Sequence, residues 1–78
     1  MGKEIINIIK ELSGFERIEN ASLLVDDLGL DSLAMVMLLI NVEDTFDIQL
    51  KESDMNPFEL KSVNDVINLV YKYLGGES

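Results

Sequence analysis

Apolar residues recur at helical spacing in three stretches of this chain. From Lys3 to Leu12, Ile5, Ile8, Ile9 and Leu12 share one stripe, Ile6 widens it, and Lys3, Asn7, Lys10 and Glu11 lie opposite. Ser13-Gly14 ends that run, since glycine is a common helix stop. Near the other end, Val63, Val66, Ile67, Val70 and Leu74 form a second stripe, with Tyr71 beside it. It is introduced by Ser62-Val63-Asn64-Asp65, a capping box with Asp where Glu or Gln is usual, and closed by Gly75-Gly76. The middle stretch, Leu33 to Phe46, is patterned differently. In its second half only Val42 and Phe46 are apolar, which fixes an inward face. Stepping back from Val42 at about 100° per residue puts Leu39, Leu38 and Met35 on that face. Leu33, Met37, Ile40 and, less squarely, Val36 then fall on the other side. A helix that is apolar all round is either buried or uses its second face. In 78 residues there is little material to bury it on every side. The pattern therefore predicts an exposed apolar strip of Leu33, Val36, Met37 and Ile40, running toward Glu43 and Asp44. The alternative is that the long loop and a later short helix cover it.

Phe15 to Leu30 shows no sustained period, and its apolar residues are scattered among polar ones. This reads as a long loop, which is uncommon in a compact domain and often functional. Its apolar side chains are expected to tuck onto the core. Asp47 to Leu50 reads as a connection anchored by Ile48 and Leu50. Ser53 or Asp54 is a candidate cap for a short helix around Met55 to Leu60, with Pro57 in its first turn and Phe58 and Leu60 facing inward. No stretch reads as a strand. The expected fold is all-α: a small four-helix bundle with three main helices and one short helix. It forms a single domain over residues 1–78, with helices at about 3–13, 32–46, 54–60 and 63–74, a long loop between the first two, and a tail at 75–78.

Charge and composition narrow the function. With 15 acidic and 6 basic residues the formal net charge is −9, which disfavours nucleic acid. It suits either partners with basic docking patches or simple solubility. No apolar run approaches the roughly 20 residues of a membrane span. The lack of Cys and of a signal-like leader leads us to expect a cytoplasmic protein, and we expect a monomer. Without His or Cys there is no usual general base, thiol nucleophile or common zinc site. A protein so composed binds or carries more readily than it catalyses, and we expect no enzyme activity.

The candidate chemistry lies in Asp26-Asp27-Leu28-Gly29-Leu30-Asp31-Ser32-Leu33. Gly29 permits a turn that other residues would strain. Asp31 and Ser32 are good N-cap types, so Ser32 is placed at or within the first turn of a helix, near the positive end of its dipole. That end suits a phosphate. On the local sequence alone, ordinary capping accounts for both residues. The three aspartates lack the ligand alternation, glycine and closing Glu of a calcium loop, and no structural metal is expected. Nothing forms a nucleophile–base pair with Ser32, so any modification there needs another protein.

Asp27-Leu28-Gly29-Leu30-Asp31-Ser32-Leu33 resembles the attachment motif of acyl carrier proteins. The similarity extends through the Ile-rich first helix, the long loop, Val42-Glu43-Asp44-Thr45-Phe46-Asp47-Ile48 and the Val/Ile-striped last helix. The resemblance implies that Ser32 carries covalent 4′-phosphopantetheine. It also implies that Asp31 supports modification by a phosphopantetheinyl transferase and its magnesium ion. The arm's thiol would hold acyl intermediates as thioesters for separate acyl-transferring, condensing or ligase enzymes, of fatty acid or polyketide type. Leu33, Val36, Met37, Ile40, Glu43 and Asp44 would dock those partners. A carrier of long chains would have a cavity lined by residues such as Leu38, Leu39, Val42 and Phe58. The chain departs from the family's fatty-acid carriers, whose second helix is usually acidic on its outer face just after the serine. Here those places hold Ala34, Met35, Met37 and Asn41, and Leu30 replaces a residue that is often small. Two other readings stay open: an aminoacyl or peptidyl carrier of a nonribosomal-peptide-like or D-alanylation pathway, and an unmodified helical interaction module.

Overall fold

A computed structural model describes residues 2–56 and 59–75. They form three α-helices: α1 (Gly2–Ser13), α2 (Ser32–Phe46) and α3 (Val63–Tyr73), with a 3₁₀ turn at Glu52–Asp54. There is no strand among the described residues, only an isolated antiparallel bridge between Leu23 and Ser62. The all-α bundle with a long loop between its first two helices is thus the fold that the hydrophobic pattern predicts.

Each helix ends where its sequence supplies a stop. Gly14 takes a left-handed φ of 79° and its N–H donates to the Lys10 carbonyl at 2.8 Å, closing α1. Asp47 does the same work for α2 at φ 54°, and its N–H reaches the Glu43 carbonyl. At the start of α3 the capping box is complete, with the Ser62 hydroxyl accepting from Asp65 and the Asp65 carboxylate accepting from Ser62. α1 packs on both α2 and α3. Ile5 and Ile9, then Met35, Leu38 and Val42, then Val63, Val66 and Val70 meet in one buried cluster. Each such side chain contributes roughly 1.5–3 kcal/mol by leaving water.

The long loop belongs to this core in part. Leu24, Leu28 and Leu30 are buried in the same cluster, and Ile18 packs against it. Phe15, Leu23 and Val25 stay exposed, so only some of the loop's apolar residues tuck inward. Leu74 is also exposed, because it follows the last helical residue and leaves the stripe.

The short helix expected at about 54–60 lies partly outside the described residues, and Glu59 donates to the Asn56 carbonyl at 3.1 Å. Before it stands the 3₁₀ turn Glu52–Asp54, closed by N–H bonds from Asp54 to Lys51 and from Met55 to Glu52. Pro57 and Phe58 lie outside the described residues, as does the tail beyond Gly75. The Asp54 carboxylate has partners remote in sequence. It accepts from the Tyr73 hydroxyl, which itself accepts from the Lys51 N–H at 2.8 Å, and Lys72 Nζ stands 3.5 Å away. The tyrosine hydrogen bond, with Lys72 nearby, holds the Asp54 carboxyl below its ordinary range. Burial, then the bond to Asp54, pushes the Tyr73 phenol up. This clasp ties the connection after α2 to the last residue of α3. Leu60 is half-buried and packs against the core.

Candidate functional site

The site is built by a turn that delivers Ser32 to the head of α2. Within Leu23 to Leu30 the backbone coils once. The N–H groups of Asp27 and Leu28 both donate to the Leu23 carbonyl, Gly29 donates to Val25 and Leu30 to Leu24, each at 3.0 Å. Asp27 Oδ2 accepts from the Leu23 N–H at 2.8 Å and closes the coil from its other end. Gly29 terminates it at φ 70°, a conformation that a β-carbon would strain. Buried Leu30 then pins the chain immediately before Asp31.

Asp31 is the N-cap of α2, extended at φ −89°, ψ −176°. Its Oδ1 accepts from the Ala34 N–H at 2.8 Å, and its carbonyl accepts from Met35 at 2.9 Å. Ser32 is therefore the first residue of the helix, and it is exposed. Among the described residues, the Ser32 hydroxyl and the N–H groups of Ser32 and Leu33 make no hydrogen bond. An exposed hydroxyl beside two open amides at the positive end of a helix fits a phosphate ester. Asp27 and Asp31 do not converge on a common point, since each turns to a different amide. Among the described residues no three acidic side chains gather as a metal site.

The turn is held from behind by α3. Leu24 donates to the Lys61 carbonyl at 2.8 Å, Val63 to Ser22 at 3.0 Å, and Asn64 to Asn20 at 2.9 Å. The Lys61 and Ser62 N–H groups in turn donate to Asp65 Oδ2 at 2.9 and 3.1 Å.

Downstream of Ser32, α2 exposes what the sequence pattern predicts. Leu33 is 69% exposed, Val36 39%, Met37 44% and Ile40 46%, while Met35, Leu38, Leu39 and Val42 are buried. Glu43 and Asp44 then part company. Glu43 is half-buried and its Oε2 accepts from the Leu50 N–H at 2.8 Å, which fixes the connection after α2. Asp44 faces solvent. Sequence reasoning missed the structural duties of Asp27, Glu43 and Tyr73. The only signal for Asp27 is its four-residue distance from Leu23, and Tyr73 gives none, because its partners are remote in sequence.

Comparison with known proteins agrees with this geometry. The family model described as the phosphopantetheine attachment site matches residues 3–70. The chain is 38% identical over 71 residues to the acyl carrier protein of Desulforapulum autotrophicum, covering 91% of this chain and 77% of that protein. It is 36% identical over 76 residues to the acyl carrier protein of Thermobifida fusca, covering 90% and 94%. It is 34% identical over 70 residues to the meromycolate extension acyl carrier protein of Mycobacterium leprae, covering 87% and 59%. An all-helical domain that offers phosphopantetheine an attachment site defines a carrier. The chain belongs to the acyl carrier protein family, and its prosthetic group is covalent 4′-phosphopantetheine.

Proposed function

We propose that Ser32 is the attachment site and that the protein carries acyl intermediates of fatty acid or polyketide type to separate enzymes, without catalysing a step itself. The observation that carries this reading is the exposed Ser32 hydroxyl at the first position of α2, beside the unpaired N–H groups of Ser32 and Leu33. When attached, the group supplies a thiol that holds the cargo as a thioester. The protein's own residues do the rest. Asp31 caps the helix and keeps a carboxylate beside the serine, where it supports the transferase reaction. The helix start holds the phosphate, and the coil ending at Gly29 keeps Ser32 at the surface. Asp44 and the apolar strip of α2 meet the partner enzymes, and the protein acts as a monomer in the cytoplasm. Leu38, Leu39 and Val42 are buried, as lining residues of an acyl-chain site would be, and Phe58, the fourth such candidate, lies outside the described residues.

A second reading, an aminoacyl or peptidyl carrier, is favoured by the uncharged outer face of α2. Intact mass after incubation with a broad-specificity phosphopantetheinyl transferase, coenzyme A and magnesium tests the attachment. One phosphopantetheine increment on the wild type and none on Ser32→Ala is expected. No increment on folded wild type refutes the assignment. Loading of the modified protein by a fatty acyl ligase against an aminoacyl-adenylating enzyme then separates the two cargo classes.

A further inference from the structure

The coil that delivers Ser32 is held by more than its own bonds. Behind it, the peptide unit between Lys61 and Ser62 is engaged on both edges. Its N–H, that of Ser62, donates to Asp65 Oδ2 at 3.1 Å, and its carbonyl, that of Lys61, accepts from the Leu24 N–H at 2.8 Å. The unit is trans and planar, so its N–H and carbonyl point in opposite directions, and fixing one aims the other. The same carboxylate oxygen accepts from the Lys61 N–H at 2.9 Å, which holds the preceding unit as well. Leu24 is fully buried, and its own carbonyl accepts from the Leu30 N–H at 3.0 Å. Leu30 is buried and stands directly before Asp31, the cap of α2, and Ser32. Hydrogen bonds thus run without a break from the Asp65 carboxylate to the residue before the cap. Val63 and Asn64, bonded to the Ser22 and Asn20 carbonyls, fix the adjoining loop to the same helix start.

We propose that Asp65, in the first turn of α3, is a positioning residue for the modification of Ser32: its carboxylate aims the Lys61 carbonyl that holds the coil in the arrangement a transferase accepts. The proposal rests on Ser32 being the attachment site, and it adds to that site a residue from outside the attachment motif. A substrate protein that is in its competent arrangement only part of the time binds its enzyme more weakly by that fraction, while turnover of the bound form is unchanged. Loss of the Asp65 acceptor is therefore read in KM rather than in kcat. Global destabilisation alone leaves KM where it was, because well below the melting temperature nearly every molecule is folded.

The test uses the full chain with a broad-specificity phosphopantetheinyl transferase, magnesium and saturating coenzyme A, following the mass increment as a function of carrier concentration. Every variant is read well below its melting temperature, which circular dichroism supplies. Asp65→Ala should raise KM for the carrier about fivefold with kcat little changed. It still reaches the full increment, only more slowly at limiting concentration. Asp65→Asn keeps a carbonyl oxygen as acceptor and should stay within about twofold of wild type. Tyr73→Phe loosens the far end of the same helix and should also stay within about twofold, since sites two turns apart act independently. Amide hydrogen exchange, which needs no transferase, gives a second reading. In Asp65→Ala it should quicken at Leu24 and Leu30 about fivefold more than at Leu38 and Val42 within α2. A wild-type KM in Asp65→Ala, a rise shared by Asp65→Asn or Tyr73→Phe, or exchange that quickens uniformly overturns the positioning role and leaves the Ser32 assignment standing. Absence of any increment on folded wild type overturns both.

Discussion

The starts of α2 and α3 are both capped by an aspartate or serine side chain, yet they are finished in opposite ways. At α3 every amide of the first turn is engaged. Ser62 N–H donates to Asp65, Val63 to the Ser22 carbonyl, Asn64 to the Asn20 carbonyl, and Asp65 to the Ser62 hydroxyl. At α2 Asp31 satisfies Ala34 alone, and the amides of Ser32 and Leu33 are left to an outside group. A helix start in the interior of a fold must satisfy its own donors. One that receives a phosphate does better to leave them open. The closed end is architecture, and the open end is where the proposed attachment falls.

Substitutions at the two ends sharpen this contrast. The largest effect is expected for Ser32→Ala, which should abolish the phosphopantetheine increment completely. Its melting temperature should stay within a degree or two of wild type, because the Ser32 hydroxyl makes no bond among the described residues. A large loss of stability would mean that the serine is structural after all. Asp65→Ala should behave in the reverse sense. It removes the acceptor for both Lys61 and Ser62, costs about 1–2 kcal/mol, and lowers the melting temperature by roughly 4–16 °C. The protein should still accept the increment below its melting point. Asp31→Asn tests the open end more finely. Asn caps as well as Asp, so thermal stability should change by no more than a few tenths of a kcal/mol. The rate of modification should fall, because the charge beside Ser32 is gone. An unchanged rate would restrict Asp31 to capping.

The smallest effect is expected at the opposite end of α3. Tyr73→Phe removes the hydroxyl that bonds Asp54 and Lys51, and should cost about 0.5–1 kcal/mol at neutral pH. The Asp54 carboxyl is held below its ordinary value of 3.8 by that bond. Its stabilising contribution is therefore present above that value and lost as the pH falls through the lower, folded-state value. Wild type and Tyr73→Phe should accordingly converge in stability on acidification. In nuclear magnetic resonance titration the Asp54 carboxyl of the variant should move up toward 3.8.

What the sequence discloses here is what depends on neighbours along the chain. The stripe from Ile5 to Leu12, the capping box at Ser62, and the two faces of α2 all follow from residues within a few positions of one another. The exposure of Met37 and Ile40 could be read because Val42 and Phe46 fix the inward face unambiguously. The serine and its cap were legible for the same reason. The ties of the segment after Leu50 were not, because they run to distant partners. The bond that Asp54 accepts from Tyr73 joins residues nineteen apart. The bond that Glu43 accepts from the Leu50 amide likewise joins residues seven apart. The loop is the intermediate case: the burial of Leu24, Leu28 and Leu30 could be anticipated, but the bonds of Asn20 and Ser22 to the start of α3 could not.

Those last bonds bear on when the protein becomes competent during synthesis. A chain made from its N-terminus exposes Ser32 before Lys61, Val63 and Asn64 exist. The coil that sets the serine at the surface is fastened on one side to those three residues. A nascent chain that stops short of them can form α1 and much of α2, but it lacks the brace behind the serine. Long-range pairings of this kind are also the slow ones in folding. The fold therefore ties the presentation of Ser32 to the completion of the domain.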